Sequence, residues 1–219
     1  MQDGITQTGP PQDGGYPVQF GVEYPDRSLN RLTTGLRIFT VIPILIVAAS
    51  IDGGYAARSG GGWGAAGVGG TGLLFFPPLF LLLFREKYPR WWYDWNTELL
   101  RFSNRIGAYL ALMSDRYPST DEHQYVRLEL PYPGAPATVN RWLPLVKWLL
   151  AIPHYIVLAF LYLAVVIVLI VVWFAILFTG RYPRAIFEFV EGTIRWHNRV
   201  VGYAFTLVTD QYPPFRLKP

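Results

Sequence analysis

From Trp148 to Gly180 the chain runs for 33 residues without a formal charge, almost all of them Leu, Ile, Val, Ala, Phe, Tyr and Trp. A run longer than the ~18 apolar residues of a membrane span points to a bilayer. Composition favours the bilayer. Apolar residues make up 52% and charged residues only 16% of the 219, against about a quarter charged in soluble domains. The chain therefore reads as integral to a membrane.

A second feature organises the rest. RFSNRIGAYLA (Arg101 to Ala111) returns 94 residues later as RWHNRVVGYAF (Arg195 to Phe205). The correspondence extends outward. VQFGVEYP (Val18 to Pro25) matches VRLELPYP (Val126 to Pro133), and Asn30-Arg31 matches Asn140-Arg141. Ile42-Pro43 matches Ile152-Pro153, and Tyr88-Pro89-Arg90 matches Tyr182-Pro183-Arg184. Asp115-Arg116-Tyr117-Pro118 matches Asp210-Gln211-Tyr212-Pro213. Repeats define the structural unit. They divide the chain into a flexible tail (1–15), a first repeat (16–118), a linker (119–124) and a second repeat (125–219).

The offset is 110 at the Ile-Pro pair and 94 at Tyr-Pro-Arg, so the first copy carries 16 extra residues between them. They fall in the Gly-rich stretch 52–72, and insertions go to surface loops. A turn is then expected at the matching place, near Tyr162 to Val165, splitting the long apolar run in two. Four spans result: 34–51, 70–84, 143–162 and 164–180. The span at 70–84 is broken by Pro77-Pro78 and reads as either crossing or re-entrant. Pro43 and Pro153 are expected to kink the first and third spans. Arg58 aside, Lys and Arg lie in the terminal and central segments or at adjoining helix ends. The positive-inside rule puts both termini in the cytoplasm and the Gly-rich loop outside. The fold class expected is thus all-α integral membrane: four transmembrane helices as two tandem hairpins, each with a cytoplasmic amphipathic helix and short β segments.

Those amphipathic helices follow each Tyr-Pro-Arg corner. At 100° per residue Asp94, Glu98, Arg101 and Arg105 share a face, as do Glu188, Arg195 and Arg199, with Glu191 alongside. Opposite them stand Trp91, Trp92 and Trp95 in one copy and Trp196 in the other, suited to anchor a helix at headgroup depth. The strand-like pieces are VQFGVEY, VRLELPY and PFRL. One copy's leading strand is expected to pair with a trailing Tyr-Pro segment.

Two readings of the arginines stand side by side. Arg101/Arg105 and Arg195/Arg199 form Arg-x-x-x-Arg pairs that suit a lipid phosphate or a protein partner. They also stand three or four residues from Glu98 and Glu191, where helical ion pairs form. Arg37 and Lys147 sit at cytoplasmic span ends, where they are expected to snorkel. The histidines His123, His154 and His197 form no cluster. Asp94 and Glu188 are equivalent acids, with no nucleophile or second catalytic group in the pattern. The absence of cysteine excludes thiolate chemistry and Cys-ligated metals. Neither a metal, a cofactor nor an enzymatic activity is expected.

RWLPLVKWLLAIPHYIVLAFL, WFAILFTGRYPR, RWHNRVVGYAF and DQYPPFRL together resemble a bacterial integral-membrane family, the domain-of-unknown-function family numbered four-three-eight-nine, in two tandem copies. The resemblance implies a duplicated membrane protein and carries no activity. The function expected is a non-enzymatic accessory subunit or scaffold in the bacterial inner membrane. Its expected partners are another membrane protein, itself, or anionic lipid, met through the arginine faces. Small residues (Gly35, Ala48, Ala49, Gly69, Gly70, Gly72) would allow close helix contacts. The alternative is a transporter or lipid-handling component with a site between the repeats.

Overall fold

In a computed structural model the described residues are 15–25, 28–46, 89–119, 125–132 and 143–219. They form strand β1 (Gln19–Val22), helix α1 (Arg31–Thr40), helix α2 (Arg90–Leu110), strand β2 (Val126–Glu129), and helices α3 (Pro144–Leu150), α4 (Ile152–Thr179) and α5 (Arg184–Ala204). Helical backbone resumes after Val41 over 42–46.

Helices α2 and α5 begin where the Tyr-Pro-Arg corners place them. Pro89 and Pro183 cap them in extended conformation, and both run 21 residues. Proline is preset for a helix entrance and lacks only a donor that the first turn does not need. Two or three residues past each helix the backbone turns left-handed, at Leu112 (φ 62) and Leu207 (φ 57). Both leucines are buried. Their side chains fill the core, which holds in place a conformation that a β-carbon disfavours.

The four-span architecture is overturned. Among the described residues one helix, α4, is long and apolar enough to cross a membrane. Residues 152–179 are continuous, so the turn expected at Tyr162 to Val165 does not form. The physical reason is local. Between Pro153 and Gly180 the chain has no Gly, Pro, Asn, Asp or Ser, hence no residue that makes a turn cheap or satisfies the backbone groups a turn would free. The offset between the copies assigns 16 extra residues to 52–72, which lie outside the described residues, and does not show that the uninserted copy turns at the matching place. Pro153 lies in the first turn of α4 instead of kinking a span, and the helix over 143–162 is interrupted at Ala151. Gly180, at φ 71, ends α4 in the left-handed conformation that glycine adopts freely. The span at 34–51 is helical as far as described, with an interruption at Val41; 70–84 lies outside the described residues.

The sheet also departs from expectation. β1 and β2 pair antiparallel, leading strand with leading strand, with Phe20 opposite Leu128 and Val22 opposite Val126. The PFRL segment is not a strand. Val18, Phe20, Val126 and Leu128 point into the main core with Met113, Tyr125, Tyr182, Phe187, Val172 and Ile176. The layers run from α4 through α5 to the sheet: α5 packs on α4 along one side and on β1 along the other, while α2 packs on β2. α1 crosses α4 near its C-terminal end, where Trp173 Nε1 donates to Thr34 O at 3.2 Å and Gly35 faces Leu177.

Candidate functional site

Of the four arginines singled out by the sequence, Arg101 on α2 and Arg195 on α5 reach the strands, and Arg105 and Arg199 reach the segments after their helices. Arg101 Nε donates to Leu128 O (3.1 Å), and Arg195 Nε donates to Phe20 O (2.9 Å). These are matched arginines on matched, facing strand residues. Both helical ion pairs form, Arg101 with Glu98 and Arg195 Nη2 with Glu191 at 2.8 Å. Arg195 Nη1 further donates to Leu217 O, and Arg199 Nη1 and Nη2 donate to Arg216 O and Lys218 O. Arg105 Nη1 donates to Ser119 O (2.8 Å). Arg105, Arg195 and Arg199 are buried. Guanidinium groups thus tie each strand and each segment after α2 and α5 to the helix beneath. A buried guanidinium with carbonyl partners satisfies both sides of a costly burial. Burial pushes the Glu191 carboxyl up; Arg195 and the Val22 N–H, which donates to it at 3.1 Å, pull it down.

Between α2 and α5 stands a reciprocal amide pair. Asn104 Nδ2 donates to Asn198 Oδ1 (2.8 Å) and Asn198 Nδ2 to Asn104 Oδ1 (2.7 Å); each Nδ2 also donates to the carbonyl four residues back. These too are matched positions. Sequence reasoning passed over them, although an identical Asn before each second arginine was the available signal.

Arg37 and Lys147 do not snorkel. Arg37 Nη2 meets Asp115 at 2.8 Å and Lys147 Nζ meets Asp210 at 2.6 Å. Each cation also lies by the ring of a matched tyrosine, Tyr109 at 4.4 Å and Tyr203 at 5.2 Å, and each donates to a backbone carbonyl, Tyr109 O and Thr209 O. Burial lowers the pKa of both, and the carboxylates oppose that shift. Neither cation reaches the solvent, because Asp115 and Asp210 come in from the segments after α2 and α5 to meet them.

Of the aromatic anchors, Trp91 and Trp95 are exposed and Trp92 is half-buried. Trp196 is buried and donates from Nε1 to His154 Nδ1 at 3.0 Å, which leaves the imidazole proton on Nε2. Phe215 stacks on the same imidazole at 4.0 Å. His123 lies outside the described residues, and His197 meets the Tyr162 ring at 5.8 Å. Glu188 pairs with Arg184 (3.4 Å) on the open surface, and Asp94 is exposed. Gly35 makes the helix contact described above; Ala48, Ala49, Gly69, Gly70 and Gly72 lie outside the described residues. An open cleft of about 440 Å³ lies among Glu23, Tyr24, Leu29, Met113, Asp115 and Tyr125. Its carboxylates are engaged, Asp115 by Arg37 and Glu23 by Arg127.

Among the described residues, α4 carries a long exposed apolar stripe. Ile152, Ile156, Phe160, Leu163, Ile167, Ile170, Phe174 and Phe178 recur every three or four residues and are all exposed, Phe160 to 70% and Phe178 to 76%. The buried residues His154, Leu158, Val165, Val172 and Ile176 line the other side. A helix apolar all round and covered on one side leaves a continuous apolar stripe open, and exposed apolar patches mark protein or membrane contact surfaces.

Comparison with curated proteins and with solved structures finds no match. A family model does match, over the segment that holds α3, α4, α5 and the C-terminal residues packed on them. Residues 142–216 match the model described as domain of unknown function DUF4389.

Proposed function

We propose that this is a bacterial inner-membrane protein built from two tandem copies of that domain. It acts as a non-enzymatic accessory subunit or scaffold that holds a membrane-protein partner. The observation that carries the reading is the division of surfaces: a bare apolar face on α4 and, beyond α5, a polar layer locked by buried arginines. Such a layer is rigid, and rigid presentation lowers the ordering cost of binding. The two-copy reading is supported by matched residues that meet one another, Phe20 with Leu128 and Asn104 with Asn198, and by matched ion pairs at Arg37 and Lys147. Arg101, Arg105, Arg195 and Arg199 shape this platform, and the exposed Trp91 and Trp95 supply aromatic contact. Interfaces favour such rings. The distribution of Lys and Arg supports a cytoplasmic platform and cytoplasmic termini.

Purification in gentle detergent from the native membrane, followed by native mass spectrometry, tests this. A stoichiometric protein partner is expected, lost when Trp91 and Trp95 are replaced by Ser. A lone protein carrying one specific anionic lipid contradicts it and puts lipid handling in its place.

A further inference from the structure

We infer that α4 lies flat in one membrane face, its outer stripe in the acyl layer and the sheet above it in water, and does not cross the bilayer. This deepens the reading of the chain as membrane-seated and rests on it. The occupant of the stripe is the acyl region of an anionic bilayer.

α5 folds back along the whole length of α4. Tyr155 meets Phe205 at one end, Tyr162 meets His197 further along, and Val172 and Ile176 share a core with Phe187 and Val190 at the other end. β1 in turn runs along the far side of α5. Val18 lies against Gly202, Phe20 O accepts from Arg195, and Val22 N donates to Glu191. The strands therefore stand abreast of the middle of α4.

That placement decides the orientation. Glu23 and Arg127 pair at 2.7 Å on the open side of the sheet, 60% and 46% exposed, and Glu129 beside them is exposed. If α4 stood upright, these charges would face outward at the level of the bilayer midplane, where charged side chains are rare and costly. If α4 lies flat, they face water, two layers above the lipid. Length agrees. A helix of 28 residues extends ~42 Å at ~1.5 Å per residue and overshoots a ~30 Å hydrocarbon core, whereas a flat helix has no thickness to match. Charge agrees as well. Arg181 and Arg184 are exposed just past the C-terminal end of α4. Arg216 and Lys218 are exposed just past Phe215, which stacks on His154 at the N-terminal end. Cations at both ends suit anionic headgroups around an embedded stripe.

The chain has no cysteine, so a single introduced thiol is its only one. Ile156→Cys, Leu163→Cys, Ile170→Cys and Phe178→Cys, all at exposed positions, are spin-labelled in the full chain. Each is reconstituted in phosphatidylethanolamine–phosphatidylglycerol vesicles, and its depth is read from collisions with oxygen and with a water-soluble nickel chelate. The expected result is one common shallow depth for all four labels, with a label at Arg127→Cys open to the chelate. Deep labels at 163 and 170 between shallow ones at 156 and 178 would overturn the flat orientation and leave the membrane-seated reading standing. Labels at all four sites as open to the chelate as in water would overturn both. Labels screened from both reagents would show another protein covering the face and overturn the flat orientation.

Discussion

At the scale of single residues, the most consequential groups are the buried cations, whose partners are supplied from elsewhere in the chain. Lys147 is fully buried and meets Asp210, which is about a quarter exposed. Removing the carboxylate strands the fully buried Lys147 charge, at ~3–5 kcal/mol for an uncompensated buried charge, whereas removing the lysine leaves Asp210, which water reaches, and costs less. We predict that Asp210→Asn lowers the unfolding free energy in detergent by about 3 kcal/mol or more, and that Lys147→Met lowers it by clearly less. Chemical denaturation followed by tryptophan fluorescence reads both. Equal losses would mean that the pair is no more than two independent polar contacts.

At the scale of elements, the decisive fact is that α4 is one helix. Ala164 lies where the repeat spacing expects a turn. A proline inside a helix removes a hydrogen bond and clashes with the preceding turn, at ~3 kcal/mol or more; in a turn it is accommodated. Ala164→Pro is therefore expected to destabilise the protein strongly in thermal unfolding, and a neutral effect would restore the hairpin. The same residue marks the limit of what the sequence discloses. The starts of α2 and α5 are legible because Tyr-Pro-Arg is a local signal. The ion pairs Arg101–Glu98 and Arg195–Glu191 are legible because helical spacing alone brings them together. The direction in which Arg101 and Arg195 point is not legible, since a strand far away in sequence supplies the carbonyls they reach. Nor is the pairing of β1 with β2, which brings together segments over a hundred residues apart. The turn near residue 164 fails for a different reason. An insertion shows where one copy is tolerant, not how the other copy passes the same point.

At the scale of the whole molecule, polarity is sorted by layer. The bare apolar stripe of α4 lies on one side, α5 in the middle, and the charged rim of the sheet on the other. The guanidinium groups of Arg101 and Arg195 fasten the strands to the helices in matching fashion, so the sheet and the helical layer act as one body. The stability of that body and its seat on the membrane draw on different residues, and they are separable by substitution. Phe160, Ile167 and Phe174 on the outer stripe are exposed and lie outside the core clusters.

The most direct test of the account is therefore vesicle flotation of the purified chain beside a variant with Phe160→Asp, Ile167→Asp and Phe174→Asp. The parent chain is expected to float with phosphatidylglycerol vesicles and to resist high salt, while the variant keeps its helical circular dichroism and stays in the aqueous fraction. A parent chain that remains monodisperse in buffer without detergent and does not float, or a variant that floats as well as the parent, would contradict the claim that this face of α4 meets lipid.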